Sequence, residues 1–134
     1  MATDFRPLNP WSWQDAFAFS QAVDVRGASR QVLCSGQTSV DANGQPLHAG
    51  DMAAQLRQAF DNLESVLSKG GLRLADIARL NFYVTDVPAF LAASDEVARR
   101  FAGTGRCPPA GTLLGVARLF HPDLMIELEA TALA

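Results

Sequence analysis

Apolar residues recur along this chain with two different periods, and the change of period marks out its elements. Beginning at Asp51, Met52, Leu56, Phe60, Leu63 and Leu67 follow at three- and four-residue spacing, the single stripe of an amphipathic helix. The Asp51 carboxylate can accept backbone N–H bonds at the N-cap, Lys69 favours the negative end of the dipole, and Gly70-Gly71 stops the helix. A second helix is predicted from Asp86 to Gly103, with Pro88 in its first turn and Phe90, Val97 and Phe101 on its buried side. Between the two, Leu80–Thr85 alternates, with Leu80, Phe82 and Val84 on one face of a strand. Shorter apolar runs predict strands at Phe17–Val25 and Gln31–Ser35, and Asp41-Ala42-Asn43-Gly44 is a hairpin-type turn. Two final strands are expected over Gly111–Leu119 and Leu124–Leu133, joined by a turn at His121-Pro122-Asp123. Residues 1–16 hold two prolines and two tryptophans and read as an irregular leading segment.

The predicted order is a β-rich start, then α, β, α and two strands. Each amphipathic helix must lay its stripe on something apolar, and a mixed sheet with both helices on one face provides it. This makes the chain an α+β protein with a single domain over residues 1–134. The other face of such a sheet lacks cover within a chain of this size, and oligomerisation is the natural remedy. In the last strand, alternation sets Leu124, Ile126, Leu128 and Ala130 on one side and Met125, Glu127 and Glu129 on the other. Taken alone, Glu127 and Glu129 read as charges on a solvated strand face.

Composition narrows the partners. Hydrophobic residues make up 49% of the 134 and charged residues 19%, enough apolar matter for a core. The net charge of −3 gives no basic footprint, and the sequence shows neither a basic groove nor a stacking platform for single-stranded nucleic acid. No apolar run is long enough to span a bilayer, and MATDFRPLNP lacks the hydrophobic stretch of a signal peptide, so a cytoplasmic protein is expected. Cys34 and Cys107 have no CxxC spacing and read as free thiols in a reducing compartment. His48 and His121, both in turn-like contexts, supply too few ligands for a dedicated metal site.

Several short segments then fall in a familiar order. Ser35-Gly36-Gln37, Asp51 through Gln55, Asn62-Leu63, Val84-Thr85-Asp86, Pro109-Ala110, Gly115-Val116-Ala117-Arg118-Leu119 and Ile126-Glu127-Leu128-Glu129-Ala130 together resemble the Rid (YjgF) family of enamine/imine deaminases. Phe19-Ser20-Gln21-Ala22-Val23 looks like that family's first strand, and the match runs from about Ala18 to Leu133. The resemblance implies a chorismate-mutase-like fold whose sheets pack into a homotrimeric barrel, with small-molecule ligands held in clefts between subunits. In the best-known branch it implies hydrolysis of reactive enamine or imine products of amino-acid metabolism to ammonia and a 2-keto acid, with no metal or organic cofactor.

The chain departs from the family where the best-known branch grips its substrate. There an arginine follows Pro-Ala and clamps a carboxylate with its fork of donors; here the sequence reads Pro109-Ala110-Gly111-Thr112. A tyrosine, an asparagine and a cysteine of that branch are replaced by Phe19, Ser94 and Leu113. Glu127 matches the carboxylate thought to activate the attacking water and is the catalytic candidate. Gly36, Phe19, Ser94, Gly111, Thr112 and Leu113 match ligand-lining positions, and Arg106 is a loop guanidinium that can swing in for the missing arginine. Gly36 is equally readable as a turn glycine and Thr112 as an ordinary strand residue, while Arg106 reads first as a solvated loop side chain. Arg118 reads as a structural ion-pair partner for Glu129, and Trp11 and Trp13 as packing residues or an aromatic wall. The expected function is hydrolytic deamination or tautomerisation of a small enamine- or imine-type metabolite other than a simple 2-imino acid, an aminomuconate-like ring-cleavage product being an example. The alternative is a trimeric protein that binds a metabolite without turnover.

Overall fold

A computed structural model describes residues 2–134. The first periodic stripe forms α1 (Met52–Lys69), and the Asp51 carboxylate accepts from the Ala54 N–H at 3.0 Å, as the capping pattern requires. Leu56, Phe60, Leu63 and Leu67 are fully buried. They pack on the apolar faces of β5 (Ile77–Val84) and β7 (Ile126–Leu133), through Leu80, Val84, Ile126, Leu128 and Ala130. β7 pairs antiparallel with β5 along almost its whole length, Phe82 opposite Leu128 and Tyr83 opposite Glu127. Its other edge carries β3 (Gln31–Leu33) and β4 (Gln37–Thr38), two pieces of one interrupted strand. Gly36 lies in the interruption.

The leading segment is more ordered than its prolines suggest. Asp4–Pro7 forms β1 and pairs antiparallel with β2 (Val23–Arg26), in a two-stranded ribbon separate from the main sheet. Pro7 is tolerated because it ends a strand at a ribbon edge. The strand expected over Phe17–Val25 is correspondingly reduced to its last residues. Trp13–Phe17 winds into a 3-10 helix, Ala18 takes a left-handed conformation (φ 57°), and the chain then binds a loop rather than a strand. Ser20 donates its N–H to the Pro109 carbonyl at 3.1 Å and its hydroxyl to Pro108 at 2.6 Å.

Two further expectations change. The second helix is broken into α2 (Val87–Ala93) and α3 (Asp95–Phe101). At the junction Ser94 turns both its hydroxyl (2.8 Å) and its N–H (3.4 Å) onto the Leu91 carbonyl, the side-chain competition that bends helices. Phe90, Val97 and Phe101 remain the buried side. The last two strands are not a hairpin: β6 is only Leu113–Gly115 and runs parallel to β5, which lies between β6 and β7. Both edges of the alternating strand β5 are thereby satisfied, and the chain crosses the sheet end between Val116 and Met125. Met125, expected opposite the core, precedes β7 and packs against the core instead.

Helices α1, α2 and α3 lie on one side of this mixed sheet, as the two amphipathic patterns require. Gln55 fixes where β7 begins. It is fully buried inside the apolar stripe, donates to the carbonyls of His48 (3.1 Å) and Asp123 (2.7 Å), and accepts from the Met125 N–H at 2.8 Å. Gln55→Leu keeps the volume but strands these three backbone groups. It is expected to cost about 3 kcal/mol in urea unfolding, since each orphaned buried group costs roughly 1–3 kcal/mol; a loss below about 0.5 kcal/mol contradicts the clamp.

Candidate functional site: an apolar pocket and an acidic sheet face

At the β6 edge of the sheet, on the helix side, the 3-10 helix, α2, α3 and the strand edge enclose a cavity of about 330 Å³. Phe82 meets Phe90 at 5.3 Å between ring centroids, and Trp13 stands edge-on to Phe17 and Phe19 at 6.3 and 5.7 Å. Trp13 and Phe17 are more than half exposed and form the lip. Among the ligand candidates, Phe19, Ser94, Gly111, Thr112 and Leu113 all line this cavity; Gly36, Glu127 and Arg106 do not. Among the described residues, no charged side chain is on its wall.

Backbone geometry explains Gly111. Leu80 donates to Ala110 at 2.9 Å and Phe82 to Thr112 at 2.8 Å, so residue 111 is pinned between two ladder bonds against β5. A Cβ at position 111 would run into the Leu80 carbonyl oxygen. Any side chain there, arginine included, therefore requires β5 and this segment to separate. Arg106 does not make up the missing charge. Its guanidinium lies 4.2 Å over the Phe5 ring, donates to the carbonyls of Ala75 and Thr3 at 3.4 Å, and stands 4.0 Å from Asp76. That stacking ties the leading strand to the body of the protein and corrects the expectation that Arg106 reaches the ligand.

The opposite face of the sheet carries the acids. Glu127 is half-buried, with its carboxylate folded over Gly36, where a Cβ would collide with it. Burial raises its pKa above the usual carboxylate value, and the neighbouring Glu129 charge raises it further. Glu129 is exposed and behaves oppositely. It accepts from the Tyr83 hydroxyl at 2.8 Å and from Asn81 at 3.2 Å, and these bonds lower its pKa. Tyr83 and Asn81, not Arg118, are its partners. Asn81 also accepts the Thr112 N–H at 3.1 Å, so one side chain links the acidic face to the rim of the pocket.

Comparison with known proteins places this arrangement. Residues 13–134 match the family model described as Endoribonuclease L-PSP. A RutC family protein of Haemophilus influenzae is 36% identical, the match covering 85% of each chain. The chain belongs to the Rid (YjgF) family. An Escherichia coli member named 2-iminobutanoate/2-iminopropanoate deaminase is 32% identical over 85% of both chains. Among solved structures, a Rid protein of unknown function from Yersinia pestis superposes with a TM-score of 0.88 at 35% identity, covering 97% of this chain and 98% of that one. The mixed α+β fold is that of Rid structures.

Within this Rid chain, then, the candidates fall into two groups separated by the sheet. Of the lip residues, Trp13 was legible in the sequence as part of an aromatic wall and Phe17 was not, nor were Asn81 and Tyr83 as partners of Glu129. For the last two the signal was present: the alternation that turns Leu80 and Phe82 inward turns Asn81 and Tyr83 toward the acids. The two glutamates respond oppositely to pH. A raised folded pKa gives stability that is fully present below the unfolded value and is lost as pH rises through the folded one; a lowered pKa gives stability present above the unfolded value and lost as pH falls through the folded one. Glu127→Gln is therefore expected to raise the melting temperature at pH 7.5 relative to its effect at pH 4, and Glu129→Gln to lower it at pH 7.5. Thermal melts at the two pH values check this, and the reverse ordering contradicts it.

Proposed function

We propose that this protein is a hydrolytic deaminase, or a tautomerase, of small enamine- or imine-type metabolites, acting as a cytoplasmic homotrimer whose chorismate-mutase-like subunits close their open sheet faces into a barrel. Glu127 is the observation that carries the reading. It is a half-buried acid with a raised pKa, held over a glycine on the sheet face opposite the helices. That face also exposes Leu33 (73%) beside Thr131 and Leu114 (48%) beside Tyr83. Apolar side chains of this size on an open sheet favour cover by further copies. In a ring of three, the Glu127 face of one copy meets the pocket of the next, and the two separated groups become one cleft. The name of the E. coli relative supports the reaction class.

In that cleft the Glu127 carboxylate takes a proton from water as the water oxygen bonds to the imine carbon, and passes that proton to the imine nitrogen, giving a carbinolamine. The carboxylate then takes the carbinolamine hydroxyl proton as the C=O bond forms and the C–N bond breaks, hands it to the departing nitrogen, and ammonia leaves a carbonyl product. In tautomerisation the same carboxylate moves a proton between carbon and nitrogen. Gly36 lets the carboxylate lie close to the backbone. Ser94, Phe19, Thr112 and Leu113 shape the cavity wall, and Gly111 offers no clamp for the carboxylate of a simple 2-imino acid. Binding without turnover is the weaker reading, because a merely binding Glu127 would sit exposed at its ordinary acidity. RNA cleavage, suggested by the family model's description, is weaker still. Trp13 and Phe17 do present an exposed stacking surface, where the sequence predicted none, but among the described residues no lysine or arginine lines the pocket beside them.

Light scattering is expected to give three times the 14.4 kDa chain mass. Glu127→Gln should keep that mass while lowering imine hydrolysis by at least about 100-fold, the scale of a lost general base. A wild-type rate that climbs as pH rises through the raised Glu127 pKa is expected as well. A monomer, or full activity in Glu127→Gln, contradicts the proposal.

A further inference from the structure

We infer that the pocket takes the apolar, ring-bearing body of an imine or enamine that derives from an amine and carries no carboxylate. The inference rests on the hydrolase reading for the reaction, but its claim about the ligand stands on the pocket alone. An apolar cavity of roughly 150 Å³ holds a benzene ring. The present cavity, about 330 Å³, has room for a ring and a short chain. Its walls are suited to that body: Phe82 and Phe90 at the base, Trp13, Phe17 and Phe19 at the lip, with Leu91, Val97 and Leu113 between.

A buried carboxylate needs a cation or several donors. Among the described residues the wall carries no cation, and its side-chain donors are the Ser94 and Thr112 hydroxyls and the Trp13 indole N–H. The Ser94 hydroxyl is already engaged with the Leu91 carbonyl, and the Thr112 N–H with Asn81. Position 111 cannot hold a cation while β5 keeps its ladder, because the Leu80 carbonyl fills the space of a Cβ. Arg106 is stacked on Phe5.

The open sheet face offers little compensation to a ligand in the cleft. Glu127 and Glu129 stand on it, and its arginine, Arg79, lies beside Thr131, four residues along β7 from Glu127 and so about 13 Å away. Glu127 and Glu129, the charges of that face at the proposed cleft, favour a nitrogen that becomes cationic and disfavour an anion. The same argument sets aside the aminomuconate-like class, which brings two carboxylates. The reaction this leaves is R–CH=NH plus water giving R–CHO and ammonia: a C–O bond forms, the C–N bond breaks, and no oxidant or reductant is needed. The reaction that supplies such a substrate is the oxidation of a primary arylalkylamine.

Isothermal titration of the protein with 2-phenylethanol and with 3-phenylpropanoate, which share a phenylethyl body and differ in the charge of the head group, tests the ligand class directly. The alcohol is expected to bind at least tenfold more tightly. Trp13→Ala should weaken the alcohol several-fold, and Ser94→Lys should shift the preference toward the carboxylate. Should Ser94→Lys fail to fold, the wild-type ratio and Trp13→Ala decide the question. Tighter binding of 3-phenylpropanoate by the wild type, or no detectable binding of 2-phenylethanol, overturns the inference. In parallel, imines generated in place from 2-phenylethylamine and from phenylalanine are followed by ammonia release, with acceleration expected for the first. Binding of the alcohol with no acceleration of either imine supports the ligand class and overturns the hydrolase reading. Acceleration confined to the phenylalanine-derived imino acid overturns the inference and keeps that reading.

Discussion

Every residue of β7 must point to one side of the sheet or the other, and neighbours must alternate. Ile126, Leu128, Ala130 and Ala132 are all buried toward the helices. That commitment sends Glu127 and Glu129 to the far side, and pairing with β5 brings Tyr83 and Asn81 there with them. The pocket, built from the helix-facing residues Leu80 and Phe82, is on the near side by the same rule. A strand that slipped by one residue would exchange the acid and the core and leave neither feature intact. The separation of pocket and acid is thus a consequence of sheet geometry, and the proposed shared cleft is what would bring them together from two copies.

A second constraint fixes what the pocket can recognise. The parallel pairing of β5 with the segment around Gly111 draws two backbones so close that the Leu80 carbonyl takes the place of a side chain. Loss of a cation at this position is therefore built into the strand spacing and is not a vacancy that a single substitution refills. The nearby guanidinium serves structure instead: Arg106 stacked on Phe5 secures the ribbon that precedes the aromatic lip. Asn81 then couples the two sides, holding Glu129 with one end of its amide and the Thr112 N–H with the other.

Much of this was legible in the sequence wherever one local pattern decided the outcome. The α1 stripe, its Asp51 cap and the inward faces of β5 and β7 follow from period alone. Legibility failed where a distant partner decided. Phe19 and Ser20 read as strand, but Pro108 and Pro109 capture Ser20 across the fold. Ser94, a ligand-lining candidate within one continuous predicted helix, bonds the Leu91 carbonyl through its hydroxyl where that helix breaks. β6 read as half of a hairpin because nothing local announces that β5 inserts between it and β7. In the site, the Rid resemblance identified five residues that do line one cavity, while Arg106 was assigned by proximity in sequence and not by reach. The Leu80 contact that explains Gly111 has no sequence signature.

The central claim is that Glu127 of one chain serves the pocket of another, and subunit mixing tests it most directly. Glu127→Gln leaves the pocket intact, and Ser94→Trp fills the pocket while leaving Glu127 intact; each alone should be inactive. In trimers assembled at random from equal amounts of the two, a shared site pairs an intact pocket with an intact glutamate in about a quarter of cases. The account predicts imine hydrolysis recovered to about a quarter of the wild-type rate on the stated statistics of such a ring. Mixed assemblies as inactive as either parent would contradict it.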